Sequence, residues 1–112
     1  MDTGNFYWFG YPLNEVYKII QEFAPYVRHV HLKNLNFSPS ERNKKRRPGL
    51  HWPESAAPIY EGNVDHQHII NILKSSGYDG DLTIEDESLS KFPKEKWIKI
   101  IKKDIDFIKS LF

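Results

Sequence analysis

Apolar side chains recur at three- and four-residue steps in three stretches of the chain. Leu13, Val16, Tyr17, Ile20 and Phe23 fall on one face of a helix expected over residues 13–24. Pro12 suits its first position, and Pro25 cannot continue it. Ile69, Ile70, Ile72 and Leu73 supply the apolar face of a second helix over 64–76, which Asn63 or Asp65 can cap at the start and Gly77 at the end. Trp97, Ile100, Ile101, Ile105, Ile108 and Leu111 form the stripe of a third, over 94–111, opened by Pro93. Between the helices lie two short runs that read as strands, 27–32 and 82–85. The second is entered through a Gly77-Tyr78-Asp79-Gly80 turn.

This order is helix, strand, helix, strand, helix. Strands joined by a helical crossover run parallel, and a parallel sheet needs both faces covered. Two strands do not complete such a sheet, so residues 1–112 read as less than half of a larger α/β domain. Asp2 reads as the last residue of a further strand whose body would precede Met1. Residues 33–62 show no periodicity and exceed the about 12–15 residues of a plain connection, which predicts a functional or disordered loop.

The composition, 39% hydrophobic with 16 basic and 15 acidic side chains, is that of an ordinary globular protein. No apolar stretch approaches the roughly 18–20 residues of a membrane span, so no membrane partner is expected. The first residues show neither the basic nor the apolar region of a signal peptide. The absence of cysteine excludes disulfides, zinc thiolate sites and cysteine nucleophiles, and suits a cytoplasmic location. A net charge of +1 argues against a dedicated nucleic-acid binder. Even so, Arg42, Lys44, Lys45, Arg46 and Arg47 form a near-continuous run, which reads as a solvated loop able to attract a phosphate.

Alternation across the two strands places His29 and His31 on one face and Val30 and Leu32 on the other. Leu82 and Ile84 match the apolar pair; Thr83 and Glu85 match the histidines. His31, Glu85 and Asp2 then end three neighbouring strands at the rim where parallel α/β folds bind ligands. Two carboxylates with an imidazole suit Mn²⁺, Mg²⁺, Co²⁺ or Zn²⁺ without choosing among them. Taken singly, each piece has a plainer reading. His29-Val30-His31 can be a pair of satisfied strand histidines, Glu85-Asp86-Glu87 a solvated acidic turn, and Asp2-Thr3-Gly4-Asn5 a capped turn. His66 and His68 point apart on their helix and read as surface or packing residues. Trp97 and Phe107 read as packing residues, whereas Phe6, Tyr7, Trp8 and Phe9 floor a pocket or cover a core edge.

Asp2-Thr3-Gly4-Asn5, His29-Val30-His31-Leu32-Lys33-Asn34, Tyr60-Glu61-Gly62-Asn63-Val64-Asp65 and Gly77-Tyr78-Asp79-Gly80 running into Leu82-Thr83-Ile84-Glu85 together resemble the sugar phosphate isomerase/epimerase family, the xylose-isomerase-like TIM barrels. The resemblance covers almost the whole chain, in order. It implies that residues 1–112 are a C-terminal fragment of a (β/α)8 barrel, about the last three βα units, with parallel strands inside and helices outside. The loop 33–62 would lie on the active-site side.

The family implies a divalent metal held by two glutamates, an aspartate and a histidine. Asp2, His31 and Glu85 match three of these, and no strand here supplies the other glutamate. His29, Lys33 and Asn5 would lie near the substrate, a small-molecule sugar or sugar phosphate. Asn5 stands where many members carry a histidine, and Asn34 where an acid is common. The implied chemistry is aldose–ketose isomerisation or epimerisation, a proton transfer through an enediolate, with Glu85 as ligand and catalytic acid/base. The fragment alone is expected to be inactive and to need the N-terminal barrel half or self-association. Two alternatives stand beside this reading. One is a non-catalytic remnant that needs a partner chain. The other is a nucleic-acid-binding protein resembling the abasic-site endonucleases of the same superfamily.

Overall fold

The computed structural model describes residues 1–112. Helix α1 (Asn5–Trp8) and helix α2 (Leu13–Phe23) are followed by a 3₁₀ turn at Ala24–Tyr26. Strand β1 (Val30–Leu32), strand β2 (Asn34–Leu35), strand β3 (Ala56–Ala57), helix α3 (His66–Ser75), strand β4 (Leu82–Ile84), a second 3₁₀ turn at Glu87–Lys91 and helix α4 (Lys94–Ser110) complete the chain. No helix is long and apolar enough to cross a membrane.

β1 and β4 pair in parallel, with Val30 opposite Leu82, His31 opposite Thr83 and Leu32 opposite Ile84. This is the register that the matching apolar faces predict. On the other side of β1, Asp2 bridges His31 in the same sense: Thr3 N donates to His31 O at 3.0 Å and His31 N to Met1 O at 2.8 Å. Val30 and Leu32 are fully buried, and Leu82 and Ile84 pack against the same core. Val16 and Ile20 of α2, Ile69 and Leu73 of α3 and Ile108 of α4 join them, so α2 and α3 turn their stripes to one apolar face of the sheet, whereas Ile101 and Ile105 of the stripe expected on α4 are exposed.

The expected strand over 27–32 is shortened to its last three residues. Ala24–Tyr26 adds a 3₁₀ turn, because Pro25 ends the α-helix but its fixed φ still allows a tighter turn. The strand over 82–85 stops at Ile84. Pro12 and Pro93 stand one residue before their helices, not at the first helical position. Asp65, not Asn63, caps α3, its side chain accepting from His68 N at 2.9 Å.

The loop 33–62 is ordered by polar side chains, which leave no periodicity to read. β2 and β3 form a short antiparallel ladder. Asn34 anchors it: Oδ1 accepts from Leu35 N at 2.9 Å and Val64 N at 2.9 Å, and Nδ2 donates to Ile59 O at 2.8 Å. Gly62 passes so close to that amide that a Cβ would overlap it. Arg46, read from the sequence as part of a solvated basic run, is instead buried at 9% exposure. Its guanidinium donates to Glu41 O at 2.8 Å and Tyr7 O at 2.7 Å, and it lies over the rings of Phe37 and Tyr7. The exposed members of the run are Lys44, Lys45 and Arg47.

Asn34→Ala leaves buried amides and a carbonyl unpaired and is expected to cost about 3 kcal/mol in equilibrium denaturant unfolding. A loss under about 1 kcal/mol would show that the loop does not depend on this side chain.

Candidate functional site

Parallel pairing places residues of like parity on one face of neighbouring strands. His31 lies opposite both Asp2 and Thr83, and Glu85 follows Thr83 by two residues, its backbone N donating to Leu32 O at 2.9 Å. Asp2, His31 and Glu85 therefore emerge side by side at the strand ends, on the face away from the helices. One donor atom from each lies within 4.8 Å of the others.

Fixed donors hold these groups. Asp2 Oδ1 accepts from Gly4 N and Asn5 N, both at 2.8 Å, at the start of α1. Its Oδ2 faces Lys33 Nζ at 3.4 Å. Glu85 Oε2 meets His31 Nδ1 at 2.6 Å, and Oε1 faces Lys33 Nζ at 3.3 Å. Burial acts to raise the Glu85 carboxyl, but the His31 hydrogen bond and the Lys33 charge outweigh it and hold the group below the usual glutamate range. Burial likewise pulls Lys33 down, and the carboxylates of Asp2, Glu87 and Glu85 more than offset this, keeping its ammonium charged.

The other sequence-predicted residues stand close by. Asn5 Oδ1 accepts from Lys33 Nζ at 3.0 Å. His29 is exposed, with Nε2 3.1 Å from His31 Nε2. The Lys33 side chain is only 7% exposed and its charged end faces Asp2, Asn5, Glu85 and Glu87. Beside Asp2, Asn5 and His29 opens a cleft of about 540 Å³, walled by Phe6, Phe23 and Tyr26. Of the four consecutive aromatics, Phe6 lines this cleft and Tyr7 is buried in the core.

A divalent ion about 2.0–2.2 Å from each donor needs the donors within about 4.4 Å of one another. The observed spread is close to that, and oxygen, nitrogen and oxygen donors suit Mn²⁺, Mg²⁺, Co²⁺ or Zn²⁺. The residues fit a cation once a His31 ring nitrogen releases its partner.

Several supporting groups carry no spacing pattern that ties them to the site. Thr3 Oγ1 donates to Lys33 O and accepts from Lys33 N, both at 2.9 Å. His66 Nε2 then donates to Thr3 Oγ1 at 3.3 Å. His66 is 1% exposed, and burial pushes it down to about 4, so the ring is neutral near pH 7. A signal was present: His66, Ile69, Ile70 and Leu73 follow helical steps onto the core face. Glu87, read as part of a solvated turn, touches Lys33 at 3.1 Å. Asp86 Oδ1 accepts from Ser88 N and Oγ and fixes the turn that carries Glu87. Its Oδ2, like that of Asp104 on α4, is buried without a donor. Burial and the Asp86 charge push Asp104 up to about 7.

A family described as xylose isomerase-like TIM barrel has a model that matches residues 1–111. No curated protein and no solved structure matches the chain.

The raised Asp104 carboxyl sets a pH dependence. The folded state holds this proton more tightly than the unfolded chain, so the group's contribution is fully present below the ordinary aspartate range. It is lost as pH rises through about 7. Asp104→Asn keeps the acceptor for Ile59 N and removes the charge. It is expected to be more stable than the parent by about 1 kcal/mol or more at pH 8, and equal to it near pH 4. Thermal melts across that range check this; a pH-independent difference contradicts it.

Proposed function

The chain belongs to the xylose isomerase-like TIM barrel family, and from that premise we propose that it acts on a sugar or sugar phosphate as a metal-dependent isomerase or epimerase. The observation that carries the reading is the convergence of Asp2, His31 and Glu85 within 4.8 Å, beside a cleft large enough for a monosaccharide. Asp2, His31 and Glu85 would hold the divalent cation, which supplies positive charge beside the sugar oxygens and favours the enediolate over the neutral ketone.

The remaining chemistry belongs to the side chains. Glu85 is ionised at neutral pH and so can accept the proton of the carbon next to the carbonyl; the electron pair moves onto the carbonyl oxygen. Before a cation binds, the His31 ring, 2.6 Å from Glu85, holds that carboxylate at the site. Delivering the proton to the former carbonyl carbon, while the neighbouring hydroxyl passes its proton to the former carbonyl oxygen, gives isomerisation; protonation of the original carbon from the opposite face by the second carboxylate, with Glu85 keeping the proton it took, gives epimerisation. His29 and Asn5 line the cleft and offer hydrogen bonds to hydroxyls, while Phe6 and Tyr26 give an apolar wall for the sugar's C–H face. Lys33 acts from below through the carboxylates and Asn5. A phosphorylated substrate adds a charge that Arg28, at the rim of the same cleft, can meet.

The parallel strands leave two open edges, one beyond Asp2 and one beyond β4. Such edges invite further strands. In this reading a barrel's N-terminal half, or another copy of the chain, covers them and brings the second carboxylate.

Co-expression with the N-terminal half of a barrel of this family, with Mn²⁺ and a ketose in D₂O, tests the proposal. Deuterium is expected to enter the C–H next to the carbonyl with the pair and not with the chain alone. Glu85→Gln and His31→Ala should each slow it by about 100-fold or more. Undiminished exchange in both variants would overturn the assignment.

A further inference from the structure

The Lys33 ammonium has three N–H bonds and four oxygen neighbours: Asn5 Oδ1 at 3.0 Å, Glu87 Oε2 at 3.1 Å, Glu85 Oε1 at 3.3 Å and Asp2 Oδ2 at 3.4 Å. Two of the four belong to the carboxylates that face the candidate cation. An ammonium among them repels a divalent ion and competes for the same oxygens. Of the three carboxylates around Lys33, Glu87 is the closest.

We propose that Glu87 is a positioning residue of the cation site, which draws the Lys33 ammonium toward itself and leaves Asp2 and Glu85 free to hold a divalent ion. The proposal rests on the metal reading above and adds a residue outside the expected ligand set. Its charge offsets that of Lys33, so the two ligand carboxylates keep their own negative charge for the ion.

Glu87 is well placed for this task because its backbone is held from several sides. It is the first residue of the 3₁₀ turn Glu87–Lys91. Asp86 Oδ1 accepts from Ser88 N at 2.8 Å and Ser88 Oγ at 2.6 Å, and Ser88 is fully buried. At the far end of the turn, Lys91 Nζ donates to Glu54 O at 2.9 Å and Ala56 O at 2.6 Å. A carboxylate on a fixed turn holds a partner at little cost in entropy. Without Glu87, the Lys33 N–H bonds have only Asn5 and the two ligand carboxylates to donate to, and the ammonium settles on the latter.

Calorimetric titration of the full 112-residue chain with Mn²⁺ tests this, using the parent, Glu87→Gln, Lys33→Met and the double variant. Glu87→Gln is expected to weaken Mn²⁺ binding about tenfold when Lys33 is present, and less than about threefold when Lys33 is Met. Glu87→Asp, which keeps the charge, should restore most of the affinity. Lys33→Gln replaces Lys33→Met if the latter does not fold. Equal losses in both backgrounds would mean that Glu87 acts on the ion directly, and no loss that it does not act at all; either overturns the proposal alone. A parent chain that binds no Mn²⁺ overturns the metal reading and this proposal together.

Discussion

Backbone pairing between parallel neighbours is the constraint from which the site follows. His31 gives both its backbone N–H and its C=O to the ladder with Met1 and Thr3, while its neighbour Leu32 accepts from Glu85 N in the ladder on the other side. A slip of one residue in either ladder would turn its imidazole into the apolar core and bring Val30 or Leu32 to the rim. Burial of Val30 and Leu32 under three helices makes such a slip costly. Side chains reinforce the register where the ladder is shortest. Thr3 Oγ1 grips both the amide and the carbonyl of Lys33, and the neutral His66 ring backs it from α3. A core helix is thereby linked, through one hydroxyl, to Lys33, the residue that follows the strand carrying His31.

Periodicity made the helices, the two parallel strands and their shared faces legible, because each reflects a repeated choice between apolar and polar. Alternation alone also placed His31 and Glu85 on one face of the sheet. What escaped was structure made by single polar contacts. Asn34 organises a thirty-residue loop through one amide, and an isolated asparagine carries no period. Glu87 follows Glu85 by two residues and shares its parity, yet three consecutive acids read first as a solvated turn. Asp104 sits on α4 among lysines and Asp106, and its place one turn from both Ile100 and Ile108 is outweighed in the sequence by its charge. The strand expected over 27–32 begins too early because Val27 is apolar, although Tyr26 before it still belongs to the 3₁₀ turn and pairing starts only at Val30.

Two buried cations show why residue type alone does not assign a role. Arg46 and Lys33 count equally in the net charge. Arg46 offers a planar fork of donors, and the loop meets it with carbonyl oxygens and two aromatic faces. The neutral partners leave its charge in place and make it a strut for the loop. Lys33 offers a compact charge, and its surroundings are three carboxylates and an amide oxygen. There the charge itself matters, because it sits among groups that can hold another cation.

The carboxylates of the site divide their oxygens between support and function. Asp2 uses Oδ1 to receive two backbone amides and leaves Oδ2 toward Lys33 and the rim. Glu85 has one oxygen on His31 and the other toward Lys33. Groups aimed in this way before a ligand arrives lose less freedom when it binds. The cost falls one residue further on. Asp86 holds the turn after Glu85, and its unpaired oxygen lies buried near Asp104, a group that burial and like charge keep protonated up to about neutral pH. The unpaired buried polar atoms therefore lie beside the site and not within it, and the Glu85 carboxylate is held low by His31 and Lys33.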